Sequence, residues 1–179
     1  MNSTSKSRQR GLTLVESMVS LGVCVTALGS AAPGLDHLRA RQHLVGATAQ
    51  LQTELAYARS LAVARNQTVH VGFESAGATS CYVIHSGKPG DCTCIAGPSA
   101  VCQPGAEALR TVKHDSAAAV AVRSNSRSIG FSPHNGTVTP TATMSTTNRR
   151  GEELRLVINI MGRVRSCTPS AGLPEYARC

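Results

Sequence analysis

The stretch Arg8-Gln-Arg-Gly-Leu-Thr-Leu-Val-Glu16 decides how this chain is read. A basic leader meets a glycine, and an apolar run comes next that carries one carboxylate near its start. From residue 12 to residue 32 the only charged side chain is Glu16. As a helix this run rises about 30 Å, the thickness of a bilayer's hydrocarbon core. Lys6, Arg8 and Arg10 flank it on one side, so the positive-inside rule places the N-terminus in the cytoplasm and everything after Pro33 outside. A carboxylate inside such a span is costly and requires a partner. The simpler alternatives are a secretory signal peptide and a plain signal anchor. The former predicts an apolar stretch of about 7–15 residues with no acid and an A-x-A site.

Gly11 followed by Leu12-Thr-Leu-Val-Glu16 resembles the prepilin peptidase site of type IV pilins and type II secretion pseudopilins. The glycine, the apolar residue after it and the glutamate four residues further on all fit. The resemblance implies cleavage after Gly11 by prepilin peptidase and N-methylation of the amine freed on Leu12. It also implies an assembly role for Glu16, whose charge is met by the amine of a neighbouring subunit in the filament. Pro33 sits where pilin anchor helices commonly kink. On this reading residues 1–11 are a leader and 12–35 a single-pass transmembrane and assembly helix in the bacterial inner membrane. The C-terminal domain then lies in the periplasm, and the partners are other pilins or pseudopilins.

Composition bounds the remainder. The chain has 179 residues, enough for one globular domain and an anchor. Aromatic residues are 3% and Trp is absent, so the core must be aliphatic. The net charge is +8, and it stays positive when the three cations of the leader are removed. A basic surface favours polyanions such as nucleic acid or anionic lipid headgroups; a merely solvated surface is the plainer reading.

Of seven cysteines, Cys24 lies in the apolar run and reads as a small packing residue. Cys81, Cys92, Cys94, Cys102, Cys167 and Cys179 all fall in the exported part, where an even number reads as up to three disulfides. Cys167 and Cys179 are placed to close a C-terminal loop. Cys92 and Cys94 are too close to pair comfortably with each other, so Cys81 and Cys102 take one each, in either order. A zinc site from the same four is disfavoured by their spacing and by the oxidising compartment.

In chain order, one long helix is expected from residue 12 to about Asn66, interrupted or bent at Pro33-Gly34. Its outer half keeps a stripe at Leu44, Ala47, Leu51, Leu55, Ala58 and Leu61, with Arg39, Arg41, Gln42, Gln52, Arg59 and Arg65 opposite. This amphipathic portion, 36–66, must pack on the strands that come after it. From 67 to 179 the period changes to two. Strands are expected near 69–73, 81–84, 109–113, 119–123, 128–131 and 154–160. Residues 86–105 read as a disulfide-pinned excursion, and the threonine-rich 137–147 as an edge hairpin or mobile loop. One helix followed by short antiparallel strands is α+β, the helix packed on a sheet.

A helix ending Tyr57-Ala-Arg-Ser-Leu-Ala-Val-Ala-Arg-Asn66 before an alternating strand resembles the GspH/FimT branch of pseudopilins. So does Ile129-Gly-Phe-Ser-Pro-His-Asn-Gly136, which resembles that branch's Phe-x-Pro-x-Gly turn with one more residue before the glycine. Ile160-Met-Gly-Arg-Val-Arg165 before Cys167 resembles the G-R-x-R signature of FimT-like minor pilins. The cysteine-rich excursion departs from that pattern. The resemblance implies a subunit near the tip of a type II secretion pseudopilus or type IV pilus, serving secretion or pilus biogenesis. For FimT-like members it also implies capture of DNA in natural transformation, that is, competence.

Gly162-Arg-Val-Arg165 has a mechanical reading too. Gly162 lets the chain turn, and Arg163 and Arg165, two apart in extended chain, point the same way. Two guanidiniums on one side can fork onto successive phosphates of double-stranded DNA, without sequence preference. A disulfide between Cys167 and Cys179 would hold the turn. Arg178, Arg149 and Arg150 could widen the patch. An R-x-R turn that is merely solvated is the bland alternative. No G-x-S-x-G, H-E-x-x-H, P-loop or G-x-G-x-x-G occurs, and the histidines and acids are scattered. Neither catalysis nor a cofactor or metal is expected.

Overall fold

The computed structural model describes residues 13–114, 119–169 and 173–179. Gly11, Leu12 and the leader cations therefore lie outside the described residues. Chain packing divides the molecule into one unit ending at Leu38 and a second comprising Arg39–Cys179.

Helix α1 spans Leu14–Arg65. Thr13 caps its start: its hydroxyl accepts the Glu16 N–H at 3.3 Å, which places Glu16 in the T-x-x-E pattern of a capping box. Up to Gly29 the helix exposes its large apolar residues, including Leu14 at 75%, Met18, Leu21 and Leu28. No single helix among the described residues is long and apolar enough to cross a membrane. The bent pair Leu14–Gly29 and Gly34–Arg65 has the length and composition to do so together. The far end is closed by Asn66 at φ 48°, with Gln67 N–H bonded to the Ala62 carbonyl and Asn66 N–H to the Val63 carbonyl. That is the pattern of a Schellman cap, and asparagine tolerates the left-handed conformation it needs.

Among the described residues of the second unit the chain forms eleven strands. They are β1 (Val69–Ala76), β2 (Thr79–His85), β3 (Cys92–Thr93), β4 (Val101–Cys102), β5 (Ala108–His114) and β6 (Val120–Ser124), then β7 (Ser128–Phe131), β8 (Val138–Thr139), β9 (Ala142–Asn148), β10 (Glu153–Ile158) and β11 (Val164–Cys167). All named pairings are antiparallel. One sheet has the order β5-β2-β1-β7-β8, the other β11-β10-β9-β6, and β3-β4 form a separate hairpin. The fold is α+β, as the change of hydrophobic period from 3.6 to 2 implies.

Both sheets turn one face to α1. Leu51, Leu55, Ala58 and Ala62 meet Val71, Tyr82 and Ile84 of the first sheet and Met144, Leu156 and Ile158 of the second in one buried cluster. A satellite cluster joins Leu44 to Val120, Leu154 and Leu173. The buried stripe thus includes Ala62 and Thr48, while Ala47 and Leu61 lie at its margin, about 100° per residue away on the helix.

Residues 137–147 do not form a hairpin at one edge: Val138–Thr139 are the edge strand β8 of the first sheet, and from Ala142 the chain enters the second sheet. β9 is an interior strand between β6 and β10, burying Ala142, Met144, Thr146 and Asn148 in strict alternation. Its polar side chains are tolerated inside because each finds a partner. The Thr146 and Thr48 hydroxyls bond each other, one donating to the other, and the proton that remains goes to a carbonyl, that of Leu154 or that of Leu44. Asn148 bonds Glu152 and the Arg150 and Glu152 amides. Glu54 is a further buried polar residue on α1, paired to Arg110 of β5 at 2.7 Å.

The six cysteines that follow α1 form Cys81–Cys94, Cys92–Cys102 and Cys167–Cys179. The first two pin the β3-β4 hairpin over the face of the first sheet turned away from α1, burying Cys81, Val83, Cys92 and Cys94. Glu74 fixes the hairpin further, its carboxylate accepting the Cys94 and Ile95 amides at 2.8 and 3.0 Å. Cys24 is free and exposed in the isolated chain.

The threonine contact between α1 and β9 should behave as a coupled pair. Thr48→Val and Thr146→Val each lower stability by about 0.5–1.5 kcal/mol, and the double variant costs less than their sum by at least about 0.5 kcal/mol. Denaturant unfolding of the four proteins measures this; strict additivity would show that the two hydroxyls do not cooperate.

Candidate functional site

The Gly162-Arg-Val-Arg165 segment is the turn between β10 and β11 and the first half of the edge strand β11. Asn159 builds it. Its carbonyl accepts the Gly162 N–H at 2.9 Å, its side-chain Oδ1 accepts the Arg163 N–H at 3.0 Å, and its N–H returns to the Arg163 carbonyl at 3.1 Å. Gly162 takes φ 73° inside this loop, which favours glycine. Arg163 and Arg165 are exposed, and the intervening Val164 packs against the core, so both arginines emerge on one side. Ile160 and Met161 at the loop tip are 59% and 58% exposed.

Arg59 meets this turn from α1, which corrects its assignment to the solvated face. Its side chain lies across Gly136 and Gly162. A methyl group added at Gly136 would come within 2.5 Å of Arg59 Nε, and one at Gly162 within 2.8 Å of the Gly136 carbonyl and 3.2 Å of Arg59 Nε. The Phe131–Gly136 turn and the G-R-x-R turn are thus packed glycine to glycine, with an arginine stem as the filler. A groove of about 740 Å³ opens beside them, lined by Ala56, Ser60 and Val63 of α1 and by His134, Asn135 and Val164.

The remaining arginines divide. Arg149 and Arg150 occupy the turn between β9 and β10, at the opposite end of β10 from Arg163. Six residues of strand separate the two turns, about 20 Å. They do not widen the Arg163–Arg165 patch. Arg178 pairs with Thr168, beyond the end of β11, on the same side of the sheet edge as the Arg149 turn. The Cys167–Cys179 bridge likewise fastens the tail to the far end of β11 and does not hold the Gly162 turn, which Asn159 holds instead. Arg41, also assigned to the solvated face, is part-buried in an ion pair of 2.8 Å with Glu175 of that tail. Asn159 was findable: an Asx residue before a glycine loop is a turn signal in its own right.

Among the described residues two titratable groups are clearly perturbed, and neither lies at the arginine turn. Burial lowers the pKa of His70 below its ordinary value, the neighbouring His85 lowers it further, and Asp91 opposes both. The two rings stack at 5.8 Å on the sheet face covered by the β3-β4 hairpin. Burial, with Glu54 next, raises the Tyr82 phenol well above its usual range against a smaller effect of Arg110. The cluster of Glu74, Cys81 and Cys94 has ligand-like spacing, but both sulfurs are joined in a disulfide and the carboxylate is engaged by amides.

A helix whose single stripe serves two antiparallel sheets, with a glycine-locked arginine turn at one end, defines the class structurally. The family described as Type II transport protein GspH matches residues 47–162, and the chain belongs to that family. The match takes in the last part of α1 and strands β1 to β10; it ends before β11, Arg163 and Arg165 and begins after Glu16. Two crystal forms of the type IV minor pilin FimU of Pseudomonas aeruginosa resemble the chain. One has 24% identity over 70% of this chain and 88% of that one, at a TM-score of 0.46. The other has 22% identity over 68% and 90%, at 0.44. No curated protein matches the chain.

Gly162→Ala places a side chain at positive φ against a carbonyl, and should destabilise the second unit by about 1–2 kcal/mol from backbone strain alone. Gly151→Ala, at φ 80° with open space around it, isolates that strain; equal losses would mean that the packing against Gly136 and Arg59 adds nothing. A histidine kept neutral by folding binds its proton more weakly than in the unfolded chain. Stability therefore falls as pH drops below about 6.5, and is recovered above it. Melting temperatures of wild type and His70→Asn between about pH 7.5 and 5.5 test this; the variant's profile should be flatter, and superimposable profiles would contradict it.

Proposed function

We propose that the chain is a non-catalytic minor subunit of a type II secretion pseudopilus or type IV pilus, seated near the fibre tip. In this reading prepilin peptidase cuts after Gly11, Leu12 becomes the methylated N-terminus, and residues 12–35 hold the subunit in the inner membrane with the β domain in the periplasm. The observation that carries it is the apolar helix before Gly29, whose Leu14, Met18, Leu21 and Leu28 are bare in the isolated chain. A surface of that kind must be covered by lipid or by the same helices of neighbours. Glu16 is exposed among them, and its backbone N–H is what the Thr13 cap engages, so its carboxylate can meet a neighbouring amine. Membership of the GspH family supports the reading.

A second reading rests on the arginine turn. Arg163 and Arg165 stand exposed on one side of an edge strand, beyond a loop locked by Asn159 and Gly162, so little ordering is needed before two phosphates are bound. A fibre subunit bearing this turn would capture double-stranded DNA through its backbone, independently of sequence.

Each reading has its own test. Glu16→Leu should be processed normally yet be missing from sheared fibres of the native host, as followed by immunoblot; wild-type levels in the fibres would remove Glu16 from assembly. With the full chain in neutral detergent, Arg163→Ala/Arg165→Ala should weaken binding to unrelated duplexes alike. The slope of log affinity against log salt should flatten by about 2. Unchanged binding would remove the arginines from the site.

A further inference from the structure

The strand register of the second sheet places more cations on the side that bears Arg165. Cys167, Arg155, Ser145 and Arg123 stand directly opposite one another across β11, β10, β9 and β6, and Arg165, Val157 and Thr143 form the next row. Side chains of these rows alternate with the core positions Val164, Leu156, Met144 and Val122, so they face away from α1. Arg165 and Arg155 are diagonal neighbours, about 7–8 Å apart at Cα. Arg155 and Arg123 are separated by one strand, about 10 Å. Between them lie only the short hydroxyl side chains of Ser145, Thr143 and Thr147 and the half-exposed Val157, so no bulky side chain of this sheet blocks a rod-shaped ligand.

We infer that Arg163, Arg165, Arg155 and Arg123 form one cationic track across the outer face of the β11-β10-β9-β6 sheet, and that DNA lies along this track rather than touching the Gly162 turn alone. The inference rests on the DNA-capture reading above and extends it to two arginines on strands that no motif singles out. Arg123 ends the track at a cleft of about 570 Å³ that it shares with Arg127, Ser126 and Glu74, whose carboxylate is engaged by the Cys94 and Ile95 amides. Among the described residues of these four strands the only acid is Glu153, which holds Arg155 Nε at 2.7 Å and so restrains it. Polyanion binding would have to compete with that contact, which makes Glu153 a built-in brake on affinity. Phosphates accept from guanidinium forks and from serine or threonine hydroxyls, and both are present here without an aromatic platform for bases. The fitting ligand is a nucleic-acid backbone read without regard to sequence.

The test uses the full chain in neutral detergent and a fluorescent random-sequence duplex, titrated at several salt concentrations. Four guanidiniums predict a salt slope near about −3.6, roughly −0.9 for each phosphate neutralised. Arg123→Gln/Arg155→Gln should lower the slope by about 2 and shrink the affinity lost between about 50 and 200 mM salt roughly tenfold. Glu153→Gln should tighten binding at least about twofold, a gain that misfolding cannot imitate. If wild type binds and Arg163→Ala/Arg165→Ala fails while Arg123→Gln/Arg155→Gln and Glu153→Gln match wild type, the track is overturned and the turn alone is the site. If wild type does not bind, the DNA reading and the track fall together. Loss of binding to anionic vesicles but not to DNA in Arg123→Gln/Arg155→Gln would also overturn it, in favour of a lipid surface.

Discussion

The packing of one helical stripe against two sheets is the constraint on which the second unit depends. With two Phe, three Tyr and no Trp in the chain, the core has few large rings to fill space, and aliphatic side chains on α1 must serve both sheets at once. Leu51 and Leu55 supply volume, while Ala58 and Ala62 let the strands approach closely near the helix end. Thr48 extends the same stripe with a hydroxyl and can do so only because Thr146 answers it from the middle of the sheet. Buried polar groups are tolerated in a modest core when they are paired, and costly when they are not.

Close approach also shapes the arginine turn. Gly136 and Gly162 have no side chains, so two turns from different parts of the chain can touch, and the Arg59 stem closes the remaining gap. This locks the loop to the helix, and Asn159 fixes the backbone from which Arg163 departs. The disulfides act elsewhere: two hold a hairpin against the far side of the first sheet, and the third fastens the tail. A rigid element carrying exposed cations is what a backbone-reading contact needs, because little conformational freedom remains to be lost on binding.

Much of the fold was legible in the sequence, for physical reasons. The helix limits came from a strong apolar stripe and an asparagine able to take positive φ, and most strands from period-two alternation. What escaped depended on distant partners. Residues 142–147 read as part of an edge hairpin because threonine gives no sign of burial until Thr48 and Leu154 are known to satisfy it. Arg59 and Arg41 read as solvated because a charged side chain does not announce that glycines, or Glu175, lie beneath it. Arg149 and Arg150 seemed able to join Arg163 because the sequence brings them near, whereas the β10 strand holds them at its opposite end. The nearness of Arg165, Arg155 and Arg123, on two adjacent rows, exists only through cross-strand register, which no local pattern encodes. The Thr13 cap had a local signal, T-x-x-E, overshadowed by the interest of its glutamate.

Function begins at the other unit, where an apolar helix carries one exposed carboxylate that needs a cationic partner. Fibre assembly supplies that partner only if the chain is shortened to begin at Leu12 and its new amine lies in a neighbour. Intact-mass spectrometry of the protein purified from its native host tests this most directly. The expected mass is that of a chain starting at Leu12 with one added methyl group on its N-terminus. A chain that keeps its leader, or is trimmed at another residue, would contradict it.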